Sequence, residues 1–135
     1  MGLESGSNRL LTFLQKPNSA EEAFEAVRAI KEAEINVGVI VMIGIGGEEY
    51  FEEHVKETVK VINSMRLERG DFIYLSEFVG HPELEYSVRT SKLGIKALSR
   101  GRAVEQINLI RQGLETADPQ NPPKIAVYDI GEFIY

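Results

Sequence analysis

The spacing of apolar residues changes several times along the chain. Residues 36–45, NVGVIVMIGI, have no polar face, which is typical of a parallel strand that is covered on both sides. After a glycine cluster, apolar residues recur at helical spacing until Gly70, which we expect to cap the helix; they are Phe51, Val55, Val59, Ile62 and Met65. Residues 71–79, DFIYLSEFV, predict the next strand.

Helices are also predicted near both ends of the chain. Ser7 or Asn8 can cap a short helix that ends before Pro17, and a second helix begins at once with a capping box at Ser19. Residues 80–94 predict a long loop or a loop with a short helix. Further on, the pattern predicts an amphipathic helix over residues 104–114, a strand from residue 124 to about 130, and a short tail.

This alternation of strands and helices predicts an α/β fold with a parallel sheet and right-handed crossovers. In such sheets, the loops that leave the strands lie at one edge, where ligands bind. Residues 43–48 and 78–81 should meet there. Residues 2–7 should join them if the polar segment GLESGS is itself the tip of a strand.

The composition limits the class of protein. A chain of 135 residues with 43% apolar residues predicts one domain. The net charge of −6 and the scattered basic residues argue against a nucleic-acid partner. There is no Cys, so this chain offers no disulfide, no thiolate metal site and no cysteine nucleophile. The longest apolar run, residues 37–45, is about half a membrane span, and no secretory pattern precedes it, so we expect a cytoplasmic protein without a membrane partner.

The segment GIGGEE, residues 44–49, is the first candidate for ligand chemistry. Glu49 stands where the third glycine of a dinucleotide fingerprint belongs, and no phosphate-loop lysine follows. Two interpretations stay open: a tight turn followed by acids at a helix start, or a turn whose bare N–H groups approach a weakly charged ligand. In either case we expect the acids, Glu48 included, to face water.

The two histidines and the serines give no catalytic site. His54 is expected at the surface, and with Glu57 it lacks the further ligands that a metal site needs. His81 follows a predicted strand end, where a loop residue or a substrate contact is expected. No Gly-x-Ser-x-Gly turn supports hydrolase chemistry. The residues therefore predict neither a metal ligand nor a catalytic group.

Two of these segments, in this order, resemble a known family. GLESG at residues 2–6 and GIGGEE at residues 44–49, separated by one helix pair, are similar to the turns after strands four and five of radical S-adenosylmethionine (SAM) enzymes. The resemblance covers residues 2–79 and implies the C-terminal half of a partial (β/α)6 TIM-like barrel. Residues 1–135 would then form one domain, from the tip of strand four to strand six plus a helix and a strand.

The resemblance also implies the residues that contact SAM. Glu4 and Ser5 match the strand-four tip, and Lys16 stands where the family often has an Arg that clamps the SAM carboxylate. The set further includes two turn glycines, Gly44 and Gly46. Ile40 stands where some members have an Asp, and it would form an apolar wall for adenine. Val79 matches a position at the end of strand six whose backbone contacts adenine. Gly46, Gly47 and Glu48 spell a GGE motif that other members carry on strand two, but chain order assigns it to the strand-five turn.

The implied function belongs to a longer parent enzyme. The parent would cleave SAM reductively with a [4Fe–4S] cluster to a 5′-deoxyadenosyl radical, and its three cluster cysteines would lie in the missing N-terminal half. This chain, with no Cys, would be inactive alone. The alternative is a non-catalytic α/β module that binds a protein or small ligand. As a half-barrel, the chain should expose sheet edges that pair with a second copy.

Overall fold

The structure is a computed structural model and describes residues 1–128. Its strands are β1 (Gly2–Glu4), β2 (Gly38–Ile43), β3 (Phe72–Glu77) and β4 (Lys124–Tyr128). Its helices are α1 (Asn8–Phe13), α2 (Ala20–Glu32), α3 (Phe51–Met65), α4 (Glu85–Lys92) and α5 (Arg100–Gly113), with a short 3₁₀ turn at Glu48–Tyr50. The predicted end of the last strand and the tail after it lie outside the described residues.

The four strands form one parallel sheet in the order β1-β2-β3-β4. β2 and β3 pair from Gly38 beside Phe72 to Ile43 beside Glu77, and β4 continues the sheet with Lys124 beside Phe72. β1 is short, and its pairing with β2 ends with Glu4 beside Val41. The predicted α/β fold with a parallel sheet is therefore confirmed. The segment GLE, Gly2–Glu4, forms its first strand.

Three helices cover one face of the sheet. Val39 and Val41 are fully buried against side chains of α2, α3 and α5, among them Val27, Ile62 and Ile110. The expectation that β2 is covered on both sides is wrong for this chain. Ile40, whose side chain points to the opposite face, is 37% exposed, because the covering helices pack only on the face of Val39 and Val41. The run is uninterrupted in sequence, but only alternate residues are buried here.

The opposite face of the sheet, which we call the open face, carries aromatic side chains in its middle. Phe72 and Tyr74 stack with ring centroids 5.7 Å apart and planes within 5° of parallel. Both rings are half-buried and lie in the same strand as the buried Ile73 and Leu75. Helices thus cover one face of the sheet, and the other face carries aromatic side chains that are partly exposed.

The helix boundaries follow the local signals in the sequence, with one exception. Ser7 and Ser19 cap α1 and α2 by accepting hydrogen bonds from backbone N–H groups three residues later. The prediction that Gly70 caps α3 is wrong, because α3 ends at Met65 and Arg66 takes the left-handed conformation with φ 52°. Gly70 has φ 97° in the turn that enters β3.

The amino ends of β2 and β3 are joined by a buried carboxylate. Asp71 is fully buried and accepts hydrogen bonds from Val37 N–H and Glu68 N–H, both at 2.9 Å. The Lys31 ammonium of α2 lies 2.7 Å from its second oxygen. Burial acts to raise the pKa of the Asp71 carboxyl, but the ammonium and the two N–H donors outweigh it and hold the pKa below its ordinary value. This carboxylate ties α2 to the sheet.

Replacing Asp71 by Asn is expected to destabilise the chain by about 2 kcal/mol. The NH₂ group of the Asn side chain would face the Glu68 N–H and the Lys31 ammonium, which are donors themselves, so neither would have an acceptor at position 71. The free energy of unfolding in urea measures the effect. Glu25→Gln, which breaks an exposed ion pair with Arg28 on α2, is the matched control and should change stability by less than about 1 kcal/mol. Equal losses in the two variants would contradict the role given to Asp71.

Candidate functional site at the carboxyl edge of the sheet

Three turns meet at the carboxyl edge of the sheet. They are the tip of β1 at residues 4–7, the turn after β2 at residues 44–47 and the segment after β3 at residues 78–82. Beside the last two lies a cleft of about 810 Å³, bounded by α4, the segment that follows it and the start of α5. Its lining includes Gly44, Val79 and His81. The predicted convergence of strand ends at this edge is therefore present.

The tip of β1 holds a strained turn around Glu4. The Ser5 N–H donates to the Leu3 carbonyl at 2.8 Å, and the residue between them, Glu4, has φ 64°. This is a three-residue γ-turn with a non-glycine centre, a conformation that costs on the order of 1–3 kcal/mol. The Lys16 ammonium lies 3.5 Å from Glu4 Oε1, while Glu4 Oε2 is buried and has no hydrogen-bond partner.

A buried network holds the residues after Glu4. Ser5 Oγ lies 2.7 Å from His54 Nδ1 and accepts the Ser7 N–H at 3.0 Å, and Gly6 N–H donates to Thr58 Oγ1 at 2.9 Å. His54 Nε2 lies 2.7 Å from the Met42 carbonyl, which can only accept, so Nε2 carries the proton and Nδ1 accepts from Ser5. The Ser5 hydroxyl is therefore fully engaged inside the protein rather than facing the cleft.

The expectation that His54 lies at the surface is wrong. Its side chain is fully buried on α3, and burial lowers the pKa of the imidazole to about 4, against a smaller opposing effect of the hydrogen bond to Met42. The imidazole is neutral at physiological pH. The sequence did contain a signal, because His54 follows Phe51 by three residues and precedes Ile62 by eight, which places it on the apolar stripe of α3.

The turn after β2 is closed by contacts from other elements. The N–H groups of Gly44 and Gly46 donate to Gln106 Oε1 at 2.8 Å and to the Tyr86 hydroxyl at 2.7 Å. The next two N–H groups, of Gly47 and Glu48, donate to the carbonyls of Gly44 and Lys96. The idea that this turn presents bare N–H groups is therefore wrong for these four residues. A ligand would instead meet the open side of Gly44, where an added Cβ would touch nothing within 4 Å.

Gly47 is required for its conformation and its neighbour. Its φ of 60° and ψ of −153° lie in a region that residues with a side chain rarely adopt. A Cβ here would stand 2.3 Å from the Lys96 carbonyl oxygen, which accepts the Glu48 N–H. The glycine thus lets the segment before α5 fold down onto the turn.

Helix α4 covers the same turn through aromatic contacts. The Tyr86 ring meets Phe78 edge-on at 4.8 Å and Phe13 at 6.2 Å between centroids, while its hydroxyl accepts the Gly46 N–H. Arg89 lies over the Phe13 ring at 4.4 Å and donates to the Phe13 carbonyl. The predicted loop at residues 80–94 therefore contains a short helix that fastens α1 to the end of β3.

Glu48 faces water only in part, since its side chain is 34% exposed and forms an ion pair. Its two carboxylate oxygens accept hydrogen bonds from the Nε–H and a terminal N–H of Arg102 on α5, both at 3.0 Å. The hydrogen bonds from Arg102 lower the pKa of the Glu48 carboxyl. The same guanidinium lies 3.7 Å above the Phe51 ring. Glu48 is therefore a structural partner of α5, and each of its carboxylate oxygens is paired with Arg102.

The residues implied by the resemblance separate into two groups in the structure. Gly44 and Val79 line the cleft, and Gly46 donates its N–H to Tyr86, which also lines it. Glu4 and Lys16 pair at the tip of β1, and Ile40 lies on the open face of the sheet beside Gly2. Sequence reasoning missed Tyr86 and Gln106. Gln106 left a signal, since it is a polar residue on the buried stripe of Ala103 and Ile110.

Within residues 1–128, no group of three or more His, Asp or Glu side chains is placed to hold a metal ion. In the same residues, none of the helices combines the length and the apolar character needed to cross a bilayer.

Comparisons with known proteins find similarity in structure but none in sequence. No family model matches the sequence, and no curated protein is detectably similar to it. Among solved structures, that of the archaeal Elp3 from Methanocaldococcus infernus, with residues 1–46 deleted, matches 98% of this chain with a TM-score of 0.66 at 18% identity. The chain has the fold of part of Elp3. It spans 33% of the Elp3 chain, about a third of its length.

Proposed function

We propose that this chain is the SAM-facing and substrate-facing half of a radical SAM core domain. Elp3, whose fold it shares in part, belongs to the radical SAM group, which supports the family that the two ordered turns indicate. Residues 1–135 would form one domain of the parent, and the N-terminal half of the barrel would be its partner.

The tip of β1 carries the proposal. Glu4 has one buried oxygen without a partner, and Lys16 supplies a positive charge beside it. The oxygen can accept a hydrogen bond from a ribose hydroxyl or from the amino group of SAM, and Lys16 can then neutralise a carboxylate. A carboxyl oxygen buried without a partner is costly unless a ligand completes it, so the residues present fit SAM.

The other implied residues would orient the adenosine end. Ile40, exposed on the open face of β2, would form an apolar wall for adenine, and Gly44 would allow close approach of the backbone. Ser5 and Gly46 would act through the turns that they shape, because their hydrogen-bonding groups are engaged within the chain. Val79, 58% exposed at the end of β3, would offer its backbone. No residue of the chain is proposed to be catalytic.

When SAM is bound next to a [4Fe–4S] cluster, its reductive cleavage supplies the 5′-deoxyadenosyl radical. With no Cys in its sequence, this chain offers no thiolate to such a cluster and is proposed to be inactive alone. We further propose a cytoplasmic protein and, through the exposed edges at β1 and β4, self-association of the isolated chain.

The coding sequence upstream of Met1 tests the proposed family directly. A Cys-x3-Cys-x2-Cys motif in frame is expected there, or in a neighbouring gene that encodes the missing half. If neither location carries such a motif, the proposal of a radical SAM parent is overturned.

Lys16→Ala is expected to raise the SAM dissociation constant of the parent by about tenfold, since a hydrogen bond to a charged group contributes ~1.5–3 kcal/mol. Isothermal titration calorimetry measures it. Lys56→Ala, which removes an exposed lysine from α3, is the matched control and should leave the constant unchanged. An unchanged constant in Lys16→Ala would reject the contact with Lys16.

One observation favours the second candidate, a non-catalytic α/β module that binds a protein or small ligand. The cleft of about 810 Å³ lies on the side of the edge that faces α5 and includes neither Glu4 nor Lys16 in its lining. A ligand that binds there would shift NMR signals of His81 and Ser91 while those of Glu4 stay in place. That pattern, together with failure to bind SAM, would favour the module.

A further inference from the structure

His54 joins the turn after β1 to the carboxyl end of β2, beside residues that the proposed function assigns to SAM. Through Nδ1 it reaches Ser5 in the turn after β1, and through Nε2 it reaches Met42 near the end of β2, each at 2.7 Å. The pairing of β1 with β2 ends at Glu4 and Val41, and the two strands separate beyond this point. The next carbonyl of β2, that of Met42, therefore bonds to the His54 imidazole instead of to β1.

The turn at Glu4 requires such an anchor. Its φ of 64° is unfavourable for a residue with a side chain, so it persists only when the neighbouring residues are held in place. Ser5 is held by His54, and Gly6 by Thr58, which is itself 3.3 Å from His54 Nδ1. The position of the Glu4 carboxylate, whose Oε1 lies beside Gly2, therefore depends on a hydroxyl that points into the core.

We infer that His54 is a positioning residue for the proposed SAM site, acting through the Ser5 hydroxyl to fix the Glu4 turn. The inference rests on the proposed function for the identity of the ligand. The fixed tautomer matters because Nε2 must donate to Met42 for Nδ1 to accept from Ser5. No part of His54 is accessible, so it acts on a ligand only through Ser5 and Glu4.

Two substitutions separate the contacts of the two ring nitrogens. The side-chain oxygen of Asn can stand near the position of Nδ1 and accept from Ser5, whereas the longer Gln places its amide near Nε2 and can donate to Met42. His54→Asn should therefore keep the Ser5 contact, and His54→Gln should keep the Met42 contact. Both remove a buried imidazole, so a merely structural role would affect the two variants alike.

The test titrates SAM into the full chain and each folded variant by NMR, a method that also detects weak binding. His54→Gln is expected to raise the SAM dissociation constant about tenfold, the lower end of the loss seen when a residue that orients a metal ligand is replaced. His54→Asn is expected to stay within about twofold of wild type. A parallel measurement follows the ¹³C carboxyl shift of Glu4 without SAM, which should move in His54→Gln and stay near wild type in His54→Asn.

The outcomes separate this inference from the proposed function. If both variants change the dissociation constant and the Glu4 shift equally, or neither does, His54 does not position Glu4. If wild type does not bind SAM but the Glu4 shift distinguishes the variants as expected, the proposed ligand is wrong and the positioning role stands. If SAM binds and the Glu4 shift does not distinguish the variants, the positioning role is overturned.

Discussion

Lowering the pH from 6.5 to about 4 is expected to remove about 3 kcal/mol of stability through His54 alone. Burial lowers the pKa of the folded imidazole from its ordinary 6.5 to about 4, so the unfolded chain takes up the proton first as the pH falls. The stability due to the neutral imidazole is fully present above the unfolded pKa and is lost progressively through this window. Urea unfolding at a series of pH values measures the slope.

The two histidines of the chain provide the control. In His54→Gln, the slope of stability against pH between pH 6.5 and about 4 should fall to the part that carboxylates contribute. His81→Gln, which replaces an exposed side chain, should keep the wild-type slope. A wild-type slope in His54→Gln would show that His54 is not buried in its neutral form. The comparison uses slopes, so the loss of stability common to all pH values does not enter.

Gly6→Ala should destabilise the chain by about 3 kcal/mol or more, because an added methyl group would clash with backbone and break a buried hydrogen bond. A Cβ on Gly6 would stand 2.3 Å from the Glu57 carbonyl oxygen and 2.7 Å from Thr58 Cα. Both are backbone atoms of α3, which cannot rotate away as a side chain would. The substitution must move the β1 turn from the helix and break the hydrogen bond from Gly6 N–H to Thr58.

Gly101→Ala is the matched control for this prediction. Gly101 lies in the first turn of α5, and an added Cβ there meets nothing within 4 Å. Because Ala is the better helix former, this variant should be more stable than wild type by up to about 1 kcal/mol. Thermal or urea unfolding gives both values. A loss for Gly6→Ala no larger than about 1 kcal/mol would contradict the tight packing of β1 against α3.

The order of strands and helices could be predicted because each element has a local cause. Serine caps fixed the starts of α1 and α2, and the run of apolar residues marked β2. The covering of β2 could not be predicted, since an uninterrupted apolar strand has the same sequence whether its second face meets helices, a barrel interior or water. Ile40 is apolar and partly exposed, and only the three-dimensional structure shows this.

The edge that carries the candidate site could also be predicted, because parallel strands place their following loops together. The contacts made there could not, since they join distant segments: Gly46 with Tyr86, Gly44 with Gln106, and Ser5 with His54. A glycine turn predicts accessible N–H groups only if no other part of the chain covers it. Here α4 and α5 do so, and the acceptor left without a partner is at Glu4 instead.

An NMR titration of the full chain with SAM, followed through its backbone amide signals, tests the proposed SAM site. We predict saturable shifts concentrated at the carboxyl edge and the open face, at Glu4, Lys16, Ile40 and Gly44, with the opposite end around Asp71 unchanged. If there is no saturable shift at millimolar SAM, or if the shifts are confined to the cleft beside α4 or to the end of the sheet around Asp71, SAM does not bind at the proposed site.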